Sequence, residues 1–350
     1  MVKKVASGVT STVKTAGSWW ARRRSVRRDP GMKGDTQGRS AWARGRVLAG
    51  LAVLTAGLLA LHRAVPNSVG RLGSLLEAFL PWLGLVVVAL FVLALLRRSA
   101  IALAALLLPV AAWTYLFGGL IMPVAEPGTH GTHGLVVVQH NVSDENTDPA
   151  GTARALAGAR PDLVAMEELV PGALPVYEKT LASRYPYHAI RGTVGLWSKH
   201  PLSGTRLVDI KPSGIVEEWS RGLRAEVHTP HGEIAAYVAH LPSVRFRPSG
   251  FASSWRDESA RLLAKAVTAE KLKSVIVLGD LNGTVDDRGL APLTSQLNVA
   301  EGSVAFTFPA AFPLARIDQV MARSATVSHV RTLPATGSDH LPIGAQVTLG

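Results

Sequence analysis

The chain has 350 residues, of which 47% are hydrophobic and 18% charged, against roughly 25% charged in an average soluble protein, a balance that fits one globular domain joined to an apolar part. Cysteine is absent, which excludes disulfides, thiolate zinc sites and cysteine nucleophiles. The formal net charge of +12 is confined to one end: residues 1–123 hold 16 of the 37 Lys and Arg but 3 of the 25 Asp and Glu, leaving 21 basic against 22 acidic residues beyond them. The downstream part therefore lacks the positive footprint of non-specific nucleic-acid binding, and no stable nucleic-acid partner is expected.

Residues 1–46 are basic, rich in Ser, Gly and Thr, and contain no apolar run. They read as a cytoplasmic tail rather than a secretory signal. Three apolar stretches follow within 47–122: Val47–Leu61, Phe79–Leu96 and Ala100–Met122. A spanning helix needs about 20 apolar residues. The second and third reach that length, and spanning helices tolerate Pro81 and Pro109. The first has 15 uncharged residues between Arg46 and His62 and crosses only if those flanks snorkel. With the basic tail inside, the positive-inside rule puts Arg97 and Arg98 inside as well. The expectation is a multi-pass cell-membrane protein with a cytoplasmic N-terminus and an extracytoplasmic domain.

Residues 123–134 (PVAEPGTHGTHG) read as a linker, and 135–350 as an α/β domain. Apolar runs predict strands at Leu135–Gln139, Asp162–Met166, Gly195–Ser198, Leu223–His228, Ile234–His240, Val275–Leu278, Ile317–Met321 and Ile343–Leu349. Helices are expected at Thr152–Ala157, Ala173–Ser183 and Ser253–Leu272, the last with Asp257 and Glu258 in its first turns. Many strands with few helices imply two sheets packed face to face, with helices outside.

Polar groups gather where these apolar runs end. In order they are Gln139-His-Asn141, Met166-Glu-Glu168, His240, Gly279-Asp280-Leu-Asn282, Ile317-Asp318 and Ser338-Asp339-His340. Each has an ordinary reading by itself: Asn282-Gly283 is a good turn dipeptide, Asp318 a solvent-facing strand residue, and His240 and His340 half-buried histidines. Together they offer hard oxygen ligands suited to Mg²⁺ or Mn²⁺, and two histidines for proton transfer and for contact with an attacked phosphorus.

These six segments, in this order, resemble the motifs of the endonuclease/exonuclease/phosphatase superfamily across roughly 215 residues. Gly279-Asp280-Leu281-Asn282 and Ser338-Asp339-His340 are the most diagnostic. The resemblance implies a DNase I-like four-layer α/β sandwich. It also implies that Asn141 and Glu168 hold the metal, with Asp339 completing its environment. Asp280 would orient the attacking water and Asn282 a phosphate oxygen. His340 would act as general base or phosphate partner, steadied by Asp318, and His240 would meet the phosphate from the other side. Glu167 departs from the usual Gln of that motif and is expected in a surface salt bridge, with a second ion as the alternative.

The same fold serves DNA, inositol phosphates and sphingomyelin, so the fold does not choose the substrate. A domain tethered a dozen residues from a membrane reaches lipid headgroups more readily than a duplex. Arg245 and Arg247 are candidates to clamp a diphosphate. Phe246, Phe251, Phe306, Phe308 and Phe312 either touch an apolar chain or pack the core. In layout the chain also resembles the membrane-anchored teicoplanin-resistance proteins of the VanJ type. That likeness implies hydrolysis of undecaprenyl pyrophosphate, a lipid-linked pyrophosphate, at the outer face; a tethered nuclease or sphingomyelinase-like phosphodiesterase is the alternative.

Overall fold

A computed structural model of the protein describes residues 35–120, 134–300 and 304–350, with side chains from residue 45 onward. Most of the basic tail and the expected linker lie outside these residues.

The N-terminal part is helical: α1 (Asp35–Ala60), α2 (Leu72–Ala78), α3 (Leu83–Leu96) and α4 (Ala100–Phe117). Helix α1 starts well before the apolar run, so the end of the expected tail is helical. Arg97 closes α3, Arg98 turns the chain at a φ of 49°, and the Ser99 hydroxyl caps α4 by accepting from the Ala102 N–H, the usual service of an N-cap serine. Leu48, Ala52, Val87, Leu90, Ala94, Ala102 and Leu106 form the small core of α1, α3 and α4. The outer faces are equally apolar, with Leu54, Val88 and Leu107 exposed.

One helix, Ala100–Phe117, is by itself long and apolar enough to cross a membrane. The expected second span, Phe79–Leu96, reaches spanning length only together with Leu72–Ala78, and the pair is bent by 66°. The break falls at Phe79, just before Pro81, which has no N–H to continue a helical ladder. The apolar helix Gly45–Ala60 falls short of spanning length. The expectation of three spans is therefore reduced to one helix that passes alone and one bent pair that passes together.

The rest is a sandwich of two six-stranded sheets. One has the order β13 (Ala325–Thr332), β14 (Ile343–Leu349), β1 (Gly134–Asn141), β2 (Leu163–Glu167), β4 (Val194–Ser198), β3 (Tyr187–Arg191). The other runs β11 (Asn298–Val299), β12 (Asp318–Arg323), β10 (Ser274–Asp280), β7 (Gly232–Ala239), β6 (Gly222–Thr229), β5 (Leu202–Leu207). Each sheet has one parallel pair at its centre, β1–β2 and β7–β10. Each pair is linked by a crossover helix, α5 (Pro149–Gly158) or α7 (Ser254–Thr268). Between the sheets lie Val137, Leu163, Leu196, Ala225, Val238, Ile276, Leu278 and Val347, all buried. Helix α7 packs on the outer face of the second sheet through Ala260, Leu263 and Val267. Helices α5 and α6 (Leu174–Leu181) cover the outer face of the first. This is the four-layer order expected.

Within the two six-stranded sheets, the four strands that apolar runs do not predict, β3, β5, β11 and β13, are the four edges. β5 has no buried residue at all. An edge strand covered on one side at most carries Ser, Thr and Arg and leaves no hydrophobic signature.

The helical part is fastened to the sandwich by polar contacts. The Arg288 guanidinium donates to both carboxylate oxygens of buried Glu77 at 2.7 Å, and to the Val65 and His62 carbonyls. Arg71 pairs with Asp257 at 2.8 Å. Trp82 donates its indole N–H to the Leu314 carbonyl and stacks on Phe306 at 5.6 Å. Arg288 and Leu314 belong to the loops flanking Asn282 and Asp318.

Candidate active site

Parallel strands point their carboxyl ends the same way, and open α/β sheets bind ligands there. Here β1 ends on Asn141, β2 on Glu167 with Glu168 next, β7 on Ala239 with His240 next, and β10 on Asp280 with Asn282 two residues on. β12, antiparallel to β10, begins at Asp318 on the same rim. Glu168 and Asn282 have φ values of 62° and 46°, so each is held at a turn in the left-handed region that non-glycine residues rarely adopt.

Asp280 is the centre of the cluster and is 1% exposed. Its Oδ2 accepts from Asn141 Nδ2 at 3.1 Å and from Asn282 Nδ2 at 3.2 Å, and its Oδ1 from the Asn282 backbone N–H at 2.9 Å. His240 Nε2 lies 3.6 Å and His340 Nε2 3.8 Å from the same Oδ2. Asp318 Oδ2 accepts from His340 Nδ1 at 2.8 Å, which leaves His340 Nε2 facing the centre. Glu168 Oε1 stands 3.7 Å from His240 Nε2, while its Oε2 accepts from the Asp144 N–H. Seven of the sequence candidates thus meet: Asn141, Glu168, His240, Asp280, Asn282, Asp318 and His340.

Three candidates stand apart from them. The Asp339 side chain is exposed and makes no hydrogen bond, acting on His340 only through its charge. Arg245 and Arg247 are exposed on the small hairpin of β8 (Phe246–Arg247) and β9 (Gly250–Phe251) and bond to none of the seven. Among the aromatic candidates, Phe308 packs its ring on His340 at 4.9 Å, Phe306 stacks on Trp82, and Phe251 is buried; Phe246 and Phe312 remain exposed.

Glu167 corrects the sequence expectation. It is fully buried and forms no surface salt bridge; Gln139 Nε2 donates to it at 2.8 Å and to Asp318 at 3.0 Å. The strand period explains the inversion: neighbouring residues at a strand end face opposite ways, so Glu168, not Glu167, turns to the opening. Burial, reinforced by Asp318, holds the Glu167 carboxyl well above the usual carboxylate range.

The two histidines are driven apart. Burial, with the charges of Arg221 and His340, pulls His240 down to about 3. Arg221 Nη1 lies 3.3 Å from His240 Nδ1; because a guanidinium only donates, Nδ1 accepts and Nε2 carries the hydrogen. Burial also pulls on His340, but Asp318 and Asp280 outweigh it and raise the group to about 10. Burial lifts Asp280 to about 7, with Asp318 adding to it and His340 opposing. The rim therefore holds one neutral donor, one imidazolium, and one carboxyl poised to exchange a proton near neutrality.

Of three supporting residues, Arg221 and Thr307 have no signal in the sequence motifs, while Ser338 opens the Ser338-Asp339-His340 segment. Arg221 precedes β6, the neighbour of the strand that delivers His240, and stacks its guanidinium over Trp219 at 5.2 Å. Thr307 accepts from the Ile317 N–H and bonds Asp318. Ser338 donates to the Asn141 carbonyl at 2.6 Å and accepts from the His340 N–H, tying the loop between β13 and β14 to the end of β1.

The donors fit a divalent cation: Glu168 and Asn141 bring hard oxygens to one rim, and Asp280, Asp318 and His340 offer ligand atoms within 4.8 Å of one another. Since His340 already occupies Asp318, Glu168 and Asn141 are the residues that would hold the ion. The His240 Nε2–H, buried with no hydrogen-bond partner, lacks the acceptor that a phosphate oxygen would supply.

The profile of the Endonuclease/Exonuclease/phosphatase family matches residues 138–340. The chain belongs to that family and is a metal-dependent phosphoester hydrolase. No curated protein matches it in sequence. Solved structures share the fold. A humanized TDP2 of D. rerio is 20% identical with a TM-score of 0.52, covering 61% of this chain and 99% of its own. A functionally unknown conserved protein from Enterococcus faecalis V583 is 12% identical at 0.51, covering 62% and 100%. Beta toxin from Staphylococcus aureus is 15% identical at 0.50, covering 60% and 99%.

Proposed function

We propose that the chain is a membrane-anchored hydrolase of lipid-linked pyrophosphate, with undecaprenyl pyrophosphate as its substrate at the outer face of the cell membrane. The observation that carries this reading is the fastening of catalytic loops to an apolar helical part, through Arg288 on Glu77 and Leu314 on Trp82. Helices that are apolar outside as well as inside suit lipid rather than water. The bent α2–α3 pair and the short α1 join α4 in the anchor, and the catalytic domain lies outside the cell. Recycling the lipid carrier would support resistance to teicoplanin, as the likeness to the VanJ type implies.

In this mechanism Glu168 and Asn141 would hold the ion, Mg²⁺ or Mn²⁺ by their hardness, with Asp339 contributing charge from the rim; an ion bound there would supply positive charge against the phosphate oxygens. Asp280 takes a proton from water as its oxygen bonds to the distal phosphorus. The P–O bond to the chain-side phosphate breaks, and the electron pair leaves with that phosphate. Asn282 and His240 Nε2–H donate to the non-bridging oxygens. The imidazolium of His340, held by Asp318, stabilises the charge that develops. His340 thus fills the phosphate-partner role of the two that the motif allows.

The test is a substrate panel on the purified full-length chain: undecaprenyl pyrophosphate, sphingomyelin and plasmid DNA, each with Mg²⁺ and with EDTA. Mg²⁺-dependent release of phosphate from the first alone is expected. Faster turnover of DNA or sphingomyelin would replace this reading with a tethered phosphodiesterase.

A further inference from the structure

Two cavities lie where the helical part meets the sandwich, and they share Pro81, Trp82 and Phe306. The first, of about 480 Å³, is a slot between α3 and α4 walled by Val88, Val110 and Trp113. It has no charged lining. The second, of about 420 Å³, begins at the end of α4 and is lined by Thr284, Asp286 and Arg316 on the catalytic side, and burial raises the Asp286 carboxyl towards its neutral form. Two of these polar groups are incomplete: Thr284 Oγ1 and Arg316 Nη1 are buried with no hydrogen-bond partner. Burial lowers the Arg316 pKa, and Asp286 opposes that shift, yet no ion pair joins the two. Buried donors without partners are rare because each forfeits its hydration. An unpartnered hydroxyl and an unpartnered guanidinium nitrogen on residues lining one cavity are complementary to a phosphate oxygen, beside an Asp286 carboxyl that burial disfavours as an anion.

The placement relates this cavity to the rim. Thr284 is two residues beyond Asn282, and Arg316 two before Asp318. Two residues of extended chain span at most about 7 Å. An apolar slot therefore adjoins, at Pro81, Trp82 and Phe306, a more polar pocket whose Thr284 and Arg316 lie within two residues of the catalytic rim.

We propose that this groove binds a single-chain amphiphile with a phosphate head, the chain between α3 and α4 and the phosphate on Arg316 and Thr284. On the function proposed above, that phosphate is the chain-side one of the substrate, and the groove presents the distal phosphate to Asp280. The claim rests on that function only for the identity of the ligand as substrate.

Binding separates the two ideas. The probes are hexadecyl phosphate, hexadecanol and inorganic phosphate, each titrated onto the metal-free full-length chain in detergent. Hexadecyl phosphate is expected to bind more tightly than the other two. Arg316→Gln weakens it on the order of 10-fold, the loss of a charge-assisted hydrogen bond, and leaves hexadecanol unchanged. Thr284→Val weakens it less without lowering Tm, because the removed hydroxyl satisfies nothing in the folded protein. Val88→Trp, which fills the slot from an exposed position, weakens both hexadecyl ligands. Wild-type affinity for hexadecyl phosphate in both Arg316→Gln and Thr284→Val would overturn the phosphate pocket. Unchanged affinity in Val88→Trp would overturn the chain slot. Normal binding with no hydrolysis of any lipid pyrophosphate would instead sink the substrate assignment and leave the groove standing.

Discussion

The sandwich and the helical part bury the same kinds of side chain with opposite results at their surfaces. In the sandwich, Leu, Ile and Val lie between the sheets, and the outer strands present Tyr187 and His188 on β3 and Ser203 and Arg206 on β5 to solvent. In the helical part a small cluster of Leu, Val and Ala is surrounded by more of the same, with Leu96 75% and Leu107 69% exposed. The sandwich hides its polar exceptions instead: Asp280, Asp318, His240 and His340 are buried at its rim. Water sorts apolar from polar in the first region. The second shows no such sorting, and its one buried acid, Glu77, serves the contact with the sandwich.

The largest expected effect tests whether the buried rim is chemistry rather than packing. Asp280→Asn should lower kcat by about 10²- to 10⁴-fold, the usual contribution of general-base catalysis. Its Tm should hold or rise, since burial already disfavours that charge in the folded state. A parallel fall in Tm and activity would make Asp280 a structural group.

Glu77→Ala probes the seam between the two regions. It removes the buried partner of Arg288 and should cost about 3 kcal/mol, the lower end for breaking a buried pair, because Arg288 keeps partial access to water. Limited proteolysis should then cut between 61 and 71 while the sandwich stays resistant. Uniform loss of resistance would mean that the regions fold as one unit.

A matched pair of lysines sharpens the contrast in solvent. Val216 is 90% exposed and Phe91 48% exposed. Val216→Lys should change stability by less than about 0.5 kcal/mol. Phe91→Lys should cost roughly 2.5–3.5 kcal/mol of insertion free energy if α3 lies in lipid, read as loss of protein from the membrane fraction. Equal behaviour of the two variants would remove α3 from the anchor.

The smallest effect is a pH slope in the metal-free protein. Asp318 and Asp280 raise His340 from 6.5 to about 10 against the pull of burial. A raised pKa means that the folded state holds the proton more tightly. The stability that this gives is complete below pH 6.5 and is lost as pH climbs through about 10. Thermal denaturation across that window should show a falling Tm, and His340→Gln should flatten it.

Much of this protein is legible in the chain alone. Central strands such as 163–166 and 275–278 are buried on both faces, so they appear as unbroken apolar runs, and Asn141, Glu168, His240, Asp280 and Asp318 stand at or just beyond the strand ends that such runs locate. Other features depend on neighbours far away in sequence. The edge strands β3, β5 and β13 are held by pairing on one side and need no apolar signature. Glu167 and Glu168 are adjacent acids, and only the strand's facing decides which is buried on Gln139 and which turns to the opening. Arg221 reaches His240, Glu77 meets Arg288, and Thr284 shares a cavity with Arg316 because separate strands and helices bring them together. Likewise the identical ring of His240 and His340 is neutral in one and charged in the other, since the protonation of a buried group is set by the charges that the fold places around it.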